Sequence, residues 1–141
     1  MKKILVIEDE VDIQEILCEF LKEKGYLVSS ANDGVEGISM FHSDTYDLVL
    51  LDIMMPKIDG YGVLETIRKN SNIPVIMITA MYDEESQIKG FDLEADDYIV
   101  KPFSMNLVMK RIEAVLRRNQ SQNKDNRRIL QYNNISLDLI A

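Results

Sequence analysis

The hydrophobic residues of the chain form short continuous runs, separated by longer segments of helical period. The clearest runs are Ile4–Ile7, Leu48–Leu51, Val75–Ile78 and Tyr98–Val100. Runs of this length and composition are typical of strands buried on both faces of a parallel sheet. A weaker run at residues 26–28 predicts a further strand near the edge of the sheet.

Segments with the spacing of amphipathic helices lie between these runs. Along Val11–Lys24 the apolar residues recur at steps of three or four and form one helix face. Residues 60–68 carry a similar stripe. Three further helices are predicted to begin at residue types suited to N-capping, which are Asp33, Asp83 and Ser104. The alternation predicts a doubly wound α/β fold, in which a five-stranded parallel sheet has helices on both faces.

The composition of the sequence changes after Arg118. Residues 119–127 are polar and predict a linker. Residues 128–140 contain two strand-like pieces around Asn133-Asn134, a pair that favours a turn. The sequence therefore predicts a domain over residues 1–118 and a linker over 119–127. Residues 128–141 are expected to be either a fragment of a second unit or a hairpin that docks elsewhere.

Charge is distributed unevenly between these parts. The net charge is −8, but residues 1–116 hold 22 acidic and 11 basic residues, whereas residues 117–141 hold two acidic and five basic. The acidic part is poorly suited to binding nucleic acid, because contacts with phosphates need cations. One cysteine and one histidine exclude a disulfide framework and a Cys- or His-rich metal site. No apolar run is long enough to cross a membrane, so we expect a cytoplasmic domain.

Polar side chains follow four of the predicted strands. Glu8 and Asp9 follow the first, Asp52 the third, Thr79 the fourth and Lys101 the fifth. Because the carboxyl ends of parallel strands meet at one edge of a sheet, we expect these groups to converge. A single acid at a strand end often only caps the next helix, but the joint pattern with a hydroxyl and a lysine argues against that interpretation for the whole set.

Converging carboxylates and a lysine favour phosphoryl chemistry. Carboxylates that lie close together repel each other unless some are protonated or a cation binds them. Mg²⁺ takes one or two carboxylates together with phosphate oxygens. A lysine and a hydroxyl could hold the remaining phosphoryl oxygens, and a central carboxylate could be the nucleophile that forms an aspartyl phosphate.

Four segments resemble the receiver domain of two-component response regulators, especially the subfamily with a winged-helix DNA-binding output. They are ILVIEDE at 4–10, DLVLLDIMMPKIDG at 47–60, PVIMITA at 74–80 and ADDYIVKPF at 95–103. The resemblance covers roughly residues 1–118 and implies the strand order 2-1-3-4-5. It also implies that residues 128–141 correspond to the first strands of the output domain.

The resemblance assigns a role to each residue of the site. It implies that Asp52 is the phosphoacceptor and that Mg²⁺ is held by Asp9, Asp52, the backbone carbonyl of Met54 and, through water, Glu8. Lys101 would bind the phosphoryl group, and its bond to Pro102 would be cis. The switch residues would be the hydroxyl of Thr79 and the ring of Tyr98.

The resemblance also implies the partners. A sensor histidine kinase would donate the phosphoryl group, phosphorylation would promote a homodimer, and DNA would be bound only through an output domain, with no membrane contact. The dimer face would comprise the helix after the fourth strand, the fifth strand and the last helix, with the charged residues Asp96, Asp97, Arg111 and Arg118. The chain departs from the family pattern at three positions, where Gln87 and Leu107 replace a charge pair and Glu94 replaces a glycine.

Three alternative functions fit the sequence less well than a receiver domain does. A phosphatase with an aspartyl nucleophile needs a second acid two residues later, where this chain has Met54. A nucleotide-binding module needs a glycine-rich phosphate loop, and Gly60-Tyr61-Gly62 is too sparse. An interaction domain that is not phosphorylated would not need the intact set of acids. We therefore expect a phosphoacceptor switch and no turnover enzyme, with a long-lived phosphoryl group because Met54 and Met81 cannot orient an attacking water.

Overall fold

The computed structural model describes residues 1–55, 57–80, 88 and 94–132, and side chains up to Arg118. Its centre is a parallel sheet of five strands in the order β2-β1-β3-β4-β5. The strands are β1 Lys3–Ile7, β2 Leu27–Ala31, β3 Leu48–Asp52, β4 Val75–Thr79 and β5 Asp97–Val100. This confirms the predicted fold class and the strand order that the family resemblance implied.

Within the described residues, four helices connect or follow these strands. They are α1 Val11–Glu23, α2 Gly34–Ser43, α3 Gly60–Arg68 and α4 Met105–Tyr132. The predicted caps of α2 and α4 are present, because Asp33 accepts a hydrogen bond from the Glu36 N–H at 2.8 Å and Ser104 accepts one from the Leu107 N–H at 3.1 Å. The helix predicted to begin at Asp83 falls on residues that lie outside the described part, except Ile88.

The last helix is longer than the sequence pattern predicted. Residues 119–127, expected to be an irregular linker, and residues 128–132, expected to begin a strand, continue α4 without a break to Tyr132. The segment holds no glycine or proline to end a helix, and its glutamine, lysine and arginine residues have high helix propensity. Residues 133–141, including the predicted turn at Asn133-Asn134, lie outside the described residues.

The core occupies both faces of the sheet. One face buries alternate strand residues such as Leu5, Leu51 and Met77 against α2 and α3. The other face buries Ile4, Leu50 and further strand residues against apolar positions of α1 and α4. Because both faces are covered, polar groups become accessible mainly at the ends of the strands. Within the described part of the chain, no helix is long and apolar enough to cross a membrane.

Candidate functional site

The carboxyl edge of the sheet brings the predicted polar residues together. Asp52 is the last residue of β3 and Thr79 the last of β4, while Glu8 follows β1 and is tied to β2 by its N–H, which donates to the Ala31 carbonyl at 3.1 Å. Lys101 follows β5, and its N–H donates to the Thr79 carbonyl at 2.7 Å. The backbone hydrogen bonds between neighbouring strands therefore fix the positions from which these side chains extend.

The ammonium of Lys101 lies among three carboxylates. Its Nζ is 3.2 Å from Glu8 Oε1, 3.5 Å from Asp52 Oδ2 and 3.4 Å from Glu10 Oε1. Glu8 and Asp52 are almost fully buried, at 1% and 2% exposure, whereas the Glu10 side chain is 60% exposed. The predicted lysine and acids therefore meet, as the strand-end pattern required. The bond from Lys101 to Pro102 is cis, as the resemblance implied.

A second grouping of acids fits a hard cation. Glu8, Asp9 and Asp52 each offer an oxygen within 4.8 Å of the others. Asp9 Oδ1 is buried and has no hydrogen-bond partner among the described residues. A buried acceptor without a partner is costly unless a cation or a donor reaches it. Because the donors are carboxylate oxygens, the arrangement suits Mg²⁺ better than a softer metal.

Burial changes the ionisation of Asp52. Removal from water, together with the hydrogen bond and negative charge of Glu8, raises the pKa of its carboxyl group to about 8, although Lys101 and the Met54 N–H lower it. The Met54 N–H donates to Asp52 Oδ1 at 3.2 Å. Without a bound cation, Asp52 therefore holds a proton at neutral pH and is a poor nucleophile.

The surrounding carboxylates have the opposite effect on Lys101. Burial by itself lowers the pKa of the ammonium, but the charges of Asp52, Glu8 and Glu10 outweigh burial and raise it. Lys101 therefore stays cationic over the whole physiological range. Lys101 thus places a fixed positive charge beside Asp52, which can bind an anionic group.

Glu10 is the member of the site that the sequence analysis missed. Its position does not mark it as a site residue, because it follows the strand-end acids and lies at the start of α1, where an acid is commonly a surface residue. The available signal was the acidic run Glu8-Asp9-Glu10. That run does not reveal the contact with Lys101, because the two residues are 91 positions apart in the sequence.

The predicted switch residues lie on neighbouring strands. Thr79 is buried at the end of β4, and Tyr98 of β5 is buried in the core on the α2–α3 face of the sheet. Met54 follows β3 with its side chain 61% exposed at the mouth of the site. Met81, the other residue linked with a long phosphoryl lifetime, lies outside the described residues.

Three of the four predicted dimer-face charges are paired within the described part of the chain. Arg111 Nη1 lies 3.2 Å from Asp97 Oδ2, and Asp96 Oδ2 accepts hydrogen bonds from Arg68 Nη2 at 3.0 Å and from the Val75 N–H at 2.8 Å. Arg118 is exposed on α4. Leu107 is also exposed, as a contact residue would be, whereas Gln87 lies outside the described part.

Comparison with known families agrees with this geometry. Residues 4–113 match the profile described as the response regulator receiver domain. The chain belongs to the response regulator receiver domain family. The receiver domain accounts for the parallel sheet and for every residue of the acidic edge described above, since all of them lie within the matched range.

Named relatives of this receiver domain include a probable transcriptional regulator and a regulatory protein. The chain is 46% identical to the probable transcriptional regulator ycf27 of Guillardia theta over 98% of its own length, and 43% identical to the regulatory protein VanRB of Enterococcus faecalis over 87%. In both cases the match covers 56% of the relative. The chain thus spans about half the length of the curated relatives that it matches.

Solved structures share the fold. The receiver domain of the Francisella response regulator 1452 superposes with a TM-score of 0.80 at 33% identity, covering 84% of this chain and 99% of that one. The response regulator TrrA of Thermotoga maritima, solved in complex with Mg(2+)-BeF, gives a TM-score of 0.74 at 39% identity over 82% of this chain and 99% of that one.

Proposed function

We propose that this receiver domain accepts a phosphoryl group on Asp52 from a sensor histidine kinase, in a Mg²⁺-dependent reaction, and that it thereby switches a dimer face. The observation that carries the proposal is the convergence of three carboxylates and Lys101 at one edge of the sheet, with Lys101 Nζ 3.5 Å from Asp52 Oδ2. The related protein TrrA, solved with Mg(2+)-BeF, supports the choice of ligands.

The reaction transfers one phosphoryl group between two nucleophiles. An Asp52 carboxylate oxygen attacks the phosphorus of a phosphohistidine, the new P–O bond forms, and the P–N bond breaks with its electron pair going to the imidazole nitrogen. Lys101 binds a phosphoryl oxygen and balances its charge. Thr79, at the end of the neighbouring strand, offers a hydroxyl to another oxygen.

The acids around Asp52 would hold the cation. Asp9 and Asp52 supply carboxylate oxygens, Glu8 acts through water, and the backbone carbonyl of Met54 completes the protein ligands. The Asp9 oxygen that is buried without a partner supports this assignment. When bound, Mg²⁺ supplies the positive charge that favours ionised Asp52 and screens the anionic phosphoryl group.

The same site does not suit turnover of external substrates. A phosphatase of the aspartyl type would place an acid or base two residues after the nucleophile, and this chain has the exposed side chain of Met54 there. We therefore propose a phosphoacceptor switch whose only catalysis is its own phosphorylation and dephosphorylation. The absence of a polar group at this position also supports a long-lived phosphoryl group.

Phosphorylation would act on the face formed by β5 and α4. A phosphoryl group adds about two negative charges and three acceptors, which Thr79 and Lys101 can follow. Tyr98 lies one strand away from Thr79, so movement at the end of β4 changes its packing. The charges of Asp96, Asp97, Arg111 and Arg118 would then pair across a homodimer.

The wider role rests on the relatives. Two of them are named as regulators of transcription or as regulatory proteins, and each is about twice as long as the matched segment. We propose that this receiver controls a DNA-binding output of the winged-helix type in the cytoplasm. The receiver itself, with its excess of acids over residues 1–116, is not the part that contacts DNA.

The decisive experiment is phosphorylation by a small donor. Acetyl phosphate with Mg²⁺ should add the mass of one phosphoryl group to the protein, detected by intact mass spectrometry. Asp52→Ala should gain none, and omission of Mg²⁺ should abolish the reaction. A phosphorylated Asp52→Ala protein, or a wild-type protein that stays unmodified, would reject the assignment.

A further inference from the structure

Glu10 lies at the start of α1, but its side chain does not cap the helix. It is the N-cap residue, yet its carboxylate accepts no hydrogen bond from the first turn of the helix in the described structure. Short side chains such as Asp or Ser are the effective caps, so glutamate contributes little there. The carboxylate instead extends to Lys101 Nζ at 3.4 Å.

The backbone around Glu10 holds this arrangement in place. The Glu10 N–H donates to Glu8 Oε2 at 3.1 Å, and the Glu10 carbonyl accepts from the Gln14 N–H at 3.0 Å. These two hydrogen bonds fix the backbone of Glu10 at the start of α1. The carboxylate of Glu10 is the exposed member of the three that surround Lys101, and it lies on the solvent side of the buried pair Glu8 and Asp52.

We propose that Glu10 is a positioning residue that shares the Lys101 ammonium with Asp52 and sets the balance between cation and anion binding at the site. The inference rests on the proposed function of Asp52. A phosphoryl oxygen that arrives beside Asp52 would compete with Glu10 for the Lys101 ammonium. Glu10 therefore opposes binding of the phosphoryl anion, both through its own charge and through its hold on Lys101.

The two binding partners should respond in opposite directions to loss of this charge. A carboxylate near the site attracts Mg²⁺ and repels an anionic phosphoryl group. Removing it should weaken Mg²⁺ binding and tighten binding of the anion. The expected effects are about two- to fivefold in each affinity, because Glu10 is largely exposed and the interaction is screened.

The experiment measures both affinities in one set of variants. Calorimetric titration with Mg²⁺ alone, and then with beryllofluoride at saturating Mg²⁺, is carried out on wild type, Glu10→Gln, Glu10→Lys and Glu19→Gln. Glu19 is exposed on the same helix, nine residues or about 13 Å further along its axis. Glu19→Gln therefore changes the net charge by the same amount without removing the contact to Lys101.

The expected result is a raised dissociation constant for Mg²⁺ and a lowered one for beryllofluoride in Glu10→Gln, larger changes in Glu10→Lys and wild-type values in Glu19→Gln. A purely structural role would move both affinities in the same direction, which would overturn the inference, as would equal effects of Glu19→Gln. If wild type binds beryllofluoride but Glu10→Gln matches it, only the role of Glu10 fails. If wild type binds neither probe, the proposed function itself fails.

Discussion

The guanidinium of Arg68 donates two hydrogen bonds, 2.9 and 2.8 Å long, to the carbonyl oxygen of Glu94. It also donates to the Ile73 carbonyl at 2.6 Å and pairs with Asp96 at 3.0 Å. This network joins the end of α3 to the turn before β5. It holds Glu94 in the left-handed region of backbone space, with φ of +68°, at the position where the family pattern has glycine.

Glu94→Gly should stabilise the protein. A non-glycine residue in the left-handed region is strained, and glycine removes that strain while leaving the carbonyl that Arg68 binds. Greater freedom of the unfolded chain offsets part of the gain, so the expected increase in the free energy of unfolding is about 0.5 kcal/mol. Chemical denaturation measures it. Glu94→Ala removes the same side chain without relieving the backbone and should show no increase.

Arg68→Ala should destabilise the protein by about 2–3 kcal/mol, because it leaves the carbonyls of Glu94 and Ile73 without this donor and removes the positive charge paired with Asp96. Arg68→Lys should recover less than half of this loss, since an ammonium cannot span acceptors that the planar guanidinium reaches together. Denaturant midpoints measure both changes. Arg117→Ala, at an exposed position of α4, is the control, and an equal loss there would contradict the network.

Gly60→Ala should reduce both stability and phosphorylation. A Cβ atom at Gly60 would lie 2.5 Å from the Asp52 carbonyl oxygen and 2.7 Å from the Ile53 Cα, so backbone beside the phosphoacceptor must move. We expect a loss of about 2 kcal/mol in the free energy of unfolding and slower reaction with acetyl phosphate. Gly62→Ala is the matched control, because its Cβ would meet side-chain atoms and no backbone, at 2.7 Å from Ile58 Cγ2 and 3.8 Å from Asp59 Oδ1. Similar behaviour of the two variants would refute the prediction.

The stability of the Mg²⁺-free protein should depend on the ionisation of Asp52. Burial, reinforced by Glu8, raises the pKa of this carboxyl group from 3.8 to about 8. Between these values the folded protein keeps a proton that the unfolded chain has released, so the free energy of unfolding falls as pH rises from 3.8 to about 8.

Asp52→Asn should flatten this pH profile. The variant should be more stable than wild type by about 2 kcal/mol above pH 8 and nearly equal to it at pH 4. Thermal or denaturant unfolding across this range measures the difference. Saturating Mg²⁺ should restore the stability that the wild-type protein loses at the alkaline end of this range. Parallel pH profiles for the two proteins would show that Asp52 ionises normally.

Phosphorylation should release the Asp97–Arg111 pair for contacts between two chains. Sedimentation velocity with Mg²⁺ and beryllofluoride should show a shift towards dimer in wild type. Arg111→Ala should weaken that dimer by about threefold to tenfold while leaving the beryllofluoride affinity of the monomer unchanged. Arg117→Ala should dimerise like wild type. If Arg111→Ala also does, the pair serves only the folding of one chain.

The sequence predicted those features that depend on neighbours along the chain. The caps at Asp33 and Ser104 and the bounds of α3 follow from local spacing, and the strand-end acids follow from topology once the strands are known. The sequence did not reveal the contact of Glu10 with Lys101, because the two residues are 91 positions apart. It did not reveal the contacts of Arg68 with Glu94 and Asp96 either, because these lie 26 and 28 positions away. Such contacts depend on how the sheet assembles.

The end of α4 illustrates a different limit. Polar composition predicted an irregular linker after Arg118, but polar residues without glycine or proline are equally compatible with a helix. Composition therefore identified where apolar packing ends and did not identify where the helix ends. The division into domains at this point stays a prediction.

The continuous helix α4 extends well beyond the segment that packs against the sheet. Its 28 residues span about 42 Å, and residues Val108 to Leu116 anchor the first half against the sheet. From Arg117 to Tyr132 the helix continues for about 24 Å. Because a helix bends little, a tilt of about 10° in the anchored half would displace the far end by about 4 Å. A repacking of about 1–2 Å beside β5 would thus become a larger displacement at Tyr132.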